Sequence, residues 1–92
     1  MIRSFIHKGL KKFFEEGIKK GINPNHADKL NDILDRLDAA TDIQDMNFPG
    51  SDLHPLEPRK EKIFAVSVSG AWRITFKIID GNAYVVDYQN YH

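Results

Sequence analysis

The chain has 92 residues, 41% hydrophobic and 28% charged, and its 13 basic and 13 acidic side chains cancel. That length fits one domain, residues 1–92, with a modest core. With no cysteine there are no disulfides and no thiolate or zinc–sulfur chemistry, and no apolar run approaches the roughly 20 residues that span a bilayer.

The neutral total hides a polarised chain. Residues 1–20 hold six Lys/Arg against two Glu, and residues 21–50 hold two against six Asp. A basic surface is therefore compatible with zero net charge. Early charge without a continuous apolar stretch predicts no signal peptide, and the cytoplasm is the expected compartment.

The segment Ile2-Arg3-Ser4-Phe5 reads as a short strand. Leu10, Phe13 and Phe14 then share one face of a helix that stops at Gly17, and GIKKG is a loop. Asn23 caps a second helix with Pro24 in its first turn. Ala27, Leu30, Ile33, Leu34 and Leu37 form its buried stripe. Asp28, Asp32 and Asp35 lie on another face with Asp38 close by, a solvated surface rather than a metal site. Residues 41–49 form a connector with a short helical turn, and Phe48-Pro49-Gly50 is a turn signal.

Beyond residue 50 the apolar period becomes two. Phe64, Val66 and Val68 alternate with Ala65 and Ser67, and Ser69-Gly70 is read as a turn. Trp72, Ile74, Phe76 and Ile78 alternate with Arg73, Thr75 and Lys77. Asp80-Gly81 is a favoured two-residue hairpin loop, and the last strand runs from Ala83 to about Asn90. The predicted fold is α+β, with two N-terminal helices packed on one face of an antiparallel sheet.

A loop at Asp80-Gly81 pairs Ile78 with Ala83 and Phe76 with Val85 on an apolar face. It pairs Lys77 with Tyr84, Thr75 with Val86 and Arg73 with Tyr88 on the other. Alternation puts Asn90 and His92 on that second face. Asp87 falls on the apolar face, a conflict that a sheet-rim position or a preceding bulge would resolve. The second face becomes a platform of cations and aromatic rings. Rings stack unpaired bases and Arg and Lys hold phosphates, so the platform suits single-stranded RNA. It equally suits ordinary cross-strand decoration.

RNA carries its own nucleophile, the 2′-hydroxyl. Cleaving it takes a base for that hydroxyl, cations for the phosphorane charge and an acid for the leaving 5′ oxygen, with no metal or other cofactor required. His54, where the sheet begins, and His92, where the chain ends, are the candidate imidazoles, with Arg73 between them. His7 and His26 flank helix starts and read as surface residues.

Five stretches together resemble one family: MIRSFIHKGLKKFFEEG, the ATDIQDMN exit of the second helix, LHPL at 53–56, SVSGAWRITF, and DGNAYVVDYQNYH. The chain resembles HigB-type toxins of the RelE/ParE toxin–antitoxin superfamily over essentially its whole length. The resemblance implies a small RelE-like α+β fold and ribosome-dependent cleavage of mRNA, which stops translation. It implies a HigA-like helix-turn-helix antitoxin as partner, with operator DNA bound only through that antitoxin, and no membrane partner. It further implies that His54, Asn90, Tyr91 and His92 are the catalytic set and Arg73 a phosphate contact. Lys60, Lys77, Tyr84 and Tyr88 complete the expected RNA-binding face. The blunt Tyr91-His92 ending fits side chains that belong to the site. Two departures stand out. The family ending is commonly Asp-Tyr-His, and here Asn90 lacks the charge. The residue after LHPL is often basic, and here it is Glu57, with Arg59, Lys60 and Lys62 nearby. A ParE-like toxin acting on a protein target and a catalytically weakened RNA-binding module are the alternatives.

Overall fold

The structure, a computed structural model, describes residues 1–56 and 62–91. Helix α1 spans Lys8–Glu16. His7 caps it, its Nδ1 accepting the Leu10 N–H at 2.9 Å, and Gly17 ends it in the left-handed conformation. Leu10 and Phe13 face inward.

Asn23 does cap the second helical segment, but through one 3-10 turn, Pro24–His26, which leads into helix α2, Ala27–Ala39. All five stripe residues of α2 are buried. Each large aliphatic side chain so removed from water contributes about 1.5–3 kcal/mol before entropy is counted. Gly9 of α1 meets Gly21 backbone to backbone. A Cβ at Gly9 would lie 2.7 Å from both Cα and O of Gly21. The loop can therefore close over α1 only with glycine at that contact.

A second 3-10 turn, Ile43–Met46, follows α2. Asp42 and Asp45 form a reciprocal capping box around it. The acidic face of α2 is solvated, as read. Its Asp32 pairs with Arg36 at 3.2 Å, an exposed bridge worth little. Asp38 accepts the Ile2 N–H at 2.9 Å.

Four strands make the antiparallel sheet: β1 (His54–Pro55), β2 (Phe64–Ser69), β3 (Trp72–Ile79) and β4 (Asn82–Asn90), paired in chain order. The helices and the sheet enclose one core, in which Leu30, Ile33, Leu34 and Leu37 of α2 meet Val66, Ile74, Phe76 and Val86. The turn read at Ser69-Gly70 lies one residue later. Ser69 pairs with Trp72 after a register shift that follows Ser67, so Gly70-Ala71 is the loop. Asp80-Gly81 is the second loop as predicted. Both residues have positive φ, 50° and 77°, the conformation that matches strand twist.

The opening segment is not a free-standing strand. It lies parallel to β4, bridging Ile2 to Ala83 and Phe5 to Val86. This contact governs the register of the sheet. Ser4 accepts two N–H groups, that of Val85 on Oγ at 2.8 Å and that of Val86 on its carbonyl at 3.1 Å. Val85 has φ 51°, a sterically unfavourable value for a β-branched residue, and β4 bulges there. The pairs nearest the loop hold as predicted: Ile79–Asn82, Ile78–Ala83 and Lys77–Tyr84. Beyond the bulge Thr75 faces Asp87, Ile74 faces Tyr88, Arg73 faces Gln89 and Trp72 faces Asn90. Every side chain of β4 past the bulge therefore sits on the opposite face from the one a simple hairpin gives it.

Candidate active site

The sheet face away from the helices carries His54 on β1, Ser67 on β2, Arg73, Thr75 and Lys77 on β3, and Tyr84, Asp87 and Gln89 on β4. Direct pairing sets His54, Ala65, Thr75 and Asp87 in one row across all four strands. Three strand spacings put the outer Cα positions about 14 Å apart. Between them stand only Ala65 and Thr75, both buried. Small residues in the middle and larger ones at the flanks give the row the size pattern of a trough, with the Gln89 amide reaching Thr75 Oγ1 at 3.3 Å across its floor.

His54 is fixed from below. Asp52 takes a left-handed conformation, φ 48°, tolerable for Asp, and turns its carbonyl toward the ring. His54 Nδ1 lies 2.8 Å from that oxygen. A carbonyl only accepts, so Nδ1 carries a proton, and in the neutral tautomer the lone pair is on Nε2.

Arg73 is tethered at the β2–β3 loop. Its Nη1 donates to the Gly70 carbonyl at 2.6 Å and to the Trp72 carbonyl at 2.9 Å. The Tyr91 N–H donates to the Ala71 carbonyl at 2.9 Å and extends the ladder past β4. Alternation then returns Tyr91 to the open face. Its hydroxyl has a pKa raised above the usual value, by burial first and then by the negative charge of Asp87, while Arg73 acts the other way. Arg73, Asp87 and Tyr91 thus share one electrostatic neighbourhood at the end of the trough.

Of the residues read as site residues, His54, Arg73 and Tyr91 share this face. Lys77 and Tyr84 stand opposite each other on it, toward the Asp80-Gly81 loop. Two placements are corrected. Tyr88 is not on the platform. The bulge turns it to the helix side, where it is 5% exposed and stacks on Trp72 at 4.6 Å between centroids. There the Tyr88 hydroxyl lies 2.6 Å from Nδ1 of His26. Burial raises its pKa, and a hydrogen bond from the Asn23 backbone N–H opposes that. No ring face of Tyr88 is left for a base. Asn90 is exposed but pairs with Trp72, so it belongs to the helix-side face. His26, read as a surface residue, is buried against Trp72 and Tyr88. His92 and Lys60 lie outside the described residues, as do Glu57 and Arg59.

Two residues went unnoticed as site members, Asp87 and Gln89. Oδ2 of Asp87 accepts from Nε2 of Gln89 at 2.8 Å, and that amide also donates to Oγ1 of Thr75 at 3.3 Å. The signal for Asp87 was present in the pattern. An acid stranded on an apolar face points to a bulge before it.

Comparison with known proteins agrees with this architecture. The model of the HigB-like toxin family, described as RelE-like toxin of type II toxin–antitoxin system HigB, matches residues 3–92. The chain is 44% identical to the Endoribonuclease HigB of Proteus vulgaris over 92 residues, which covers 100% of both chains.

Proposed function

The chain belongs to the HigB-like family of RelE-like toxins of type II toxin–antitoxin systems, and from that premise we propose that it is an endoribonuclease that cuts mRNA on the ribosome and halts translation. Membership brings an antitoxin partner. We take that partner to be a HigA-like helix-turn-helix protein, through which alone the toxin meets operator DNA, and the site of action to be the cytoplasm.

The observation that carries the reading is the tautomer of His54. The Nδ1–H bond to the Asp52 carbonyl leaves Nε2 as the lone-pair nitrogen of the neutral ring, on a residue of the open sheet face. In the proposed step Nε2 takes the proton of a ribose 2′-hydroxyl. The 2′ oxygen attacks the adjacent phosphorus, a new P–O2′ bond forms and the P–O5′ bond breaks. His92 gives a proton to the departing 5′ oxygen. The products are a 2′,3′-cyclic phosphate and a 5′-hydroxyl end, and no metal takes part. Arg73 neutralises the charge that gathers on the phosphorane oxygens. The Tyr91 hydroxyl, held protonated by its surroundings, donates to the same oxygens. Lys77, Lys60 and Tyr84 hold the flanking nucleotides through phosphate contacts and stacking.

The test is induction without antitoxin, with mRNA 5′ ends mapped against the reading frame. Cuts in register with codons are expected. Intact mRNA with damaged DNA would overturn the reading in favour of a protein-targeting toxin, and harmless overexpression would mark a binding module.

A further inference from the structure

Asp87 is the only acidic residue in the four strands. Aspartate is disfavoured in strands, so its presence on the open sheet face, in the last of the four strands, calls for a reason. Both of its oxygens are engaged. Oδ1 accepts the N–H of Tyr88 at 2.9 Å, and Oδ2 accepts from Gln89 at 2.8 Å. One bond ties the carboxylate to its own backbone, and the other ties it to a side chain on the same face. Its rotamer is therefore set, and its charge acts on the Tyr91 hydroxyl against that of Arg73.

The Gln89 amide is set in turn. An ionised carboxylate only accepts, so the NH₂ group faces Asp87, with its second proton toward Thr75. The side-chain carbonyl oxygen of Gln89 is then the acceptor end of the amide, turned away from those two partners. The sequence points to residue 90 for the polar group that accompanies the terminal Tyr-His pair. That residue is an uncharged Asn on the other face, and the bulge at Val85 delivers Asp87 in its place.

We infer that Asp87 is the carboxylate of this site, a positioning residue that orients the Gln89 amide and sets the field at the Tyr91 hydroxyl. The inference rests on the reading of the open face as the RNA-cleaving site. The sign of the field follows from the charges. A negative neighbour disfavours the phenolate, so Tyr91 keeps its proton to higher pH. Without Asp87, Arg73 acts on Tyr91 unopposed, and the hydroxyl loses its proton at lower pH.

The experiment compares wild type, Asp87→Asn, Asp87→Glu and Asp87→Asn with Asn90→Asp. Each is titrated for Tyr91 by NMR with ring-labelled tyrosine, and each is assayed for mRNA cleavage on programmed ribosomes across pH. Asp87→Asn should move the Tyr91 titration to lower pH and slow cleavage about tenfold through kcat rather than KM. The alkaline limb of its rate profile should move to lower pH. Asp87→Glu should restore the titration, and Asn90→Asp should rescue neither property. An active wild type with an unaltered Asp87→Asn variant, or rescue by Asn90→Asp, overturns the role of Asp87 alone. A wild type that cuts no mRNA removes the cleavage reading and this inference together. Should Asp87→Asn fail to fold, Gln89→Leu carries the test, because it keeps the charge and removes its amide partner. About tenfold loss in kcat is then expected, and wild-type kcat would overturn the assignment.

Discussion

At the scale of single residues, two side chains that look alike in sequence do different work. His54 and His26 are both held through Nδ1, but on opposite sides of the sheet. His54 stands on the open face, where the proposed reaction needs its Nε2 as the base. His54→Gln keeps the ring-sized polar group and should cut the cleavage rate by about 10²–10⁴, with an unchanged far-UV CD spectrum and melting temperature; a near-wild-type rate would remove His54 from the chemistry. Tyr88→Phe should do the reverse. It leaves Nδ1 of buried His26 without its partner, so unfolding free energy should fall by about 1–2 kcal/mol. Cleavage per folded molecule should not change. The pH dependence separates the cases further. Tyr88 ionises in the native state only above its ordinary value of 10.0, because burial penalises the phenolate. The unfolded chain ionises first, so the stability held by the neutral phenol is complete below pH 10.0 and is lost as pH rises toward the native value. Tyr88→Phe should flatten that alkaline decline in urea titrations, and an unflattened decline would show that residue 88 is not its source.

At the scale of elements, the register of β4 is the feature on which the site depends, and the N-terminal segment holds it. Val85 at φ 51° costs of order 1–3 kcal/mol, and it persists because Ser4 satisfies the two N–H groups that the bulge frees from the ladder. Ser4→Ala removes the acceptor for Val85. The expected loss is about 1–2 kcal/mol in unfolding free energy, with faster amide exchange confined to residues 84–86. A variant as stable as wild type would mean that the bulge does not need Ser4. This explains what could and could not be read in the chain. Both helices, their buried stripe and the Asp80-Gly81 loop follow from local spacing and turn chemistry, and these appear where they were expected. The bulge left only an indirect trace, Asp87 on the apolar face, and no local rule places it at Val85. A valine is a poor choice for positive φ, and the partner that stabilises it lies some 80 positions away in sequence. Tyr88 and Asn90 were misplaced for that single reason.

At the scale of the whole molecule, zero net charge leaves no overall attraction for a polyanion. Any affinity for RNA must come from how the charges are arranged. The helix side carries the lysines of α1 and the aspartates of α2, which offset one another. The strands carry Arg73 and Lys77 against Asp87 alone, so the open face is mildly cationic among the described residues. A phosphate backbone bound there displaces counterions, and log K falls linearly with log salt by about 0.7 for each phosphate neutralised on a single strand. Lys77 stands on the open face opposite Tyr84, a point charge beside a ring, the pairing expected to hold one phosphate and its base. Lys77→Gln should therefore make the salt dependence of single-stranded RNA binding shallower by about 0.7, with a uniform loss of affinity across sequences. Asp32→Asn, on the solvated face of α2 and paired only with Arg36, should leave the slope as it is. The two variants separate a local phosphate contact from a general effect of net charge, since they change the total by one unit in opposite directions. If the two move the slope by equal and opposite amounts, net charge alone accounts for both and the strand is not held on the open face.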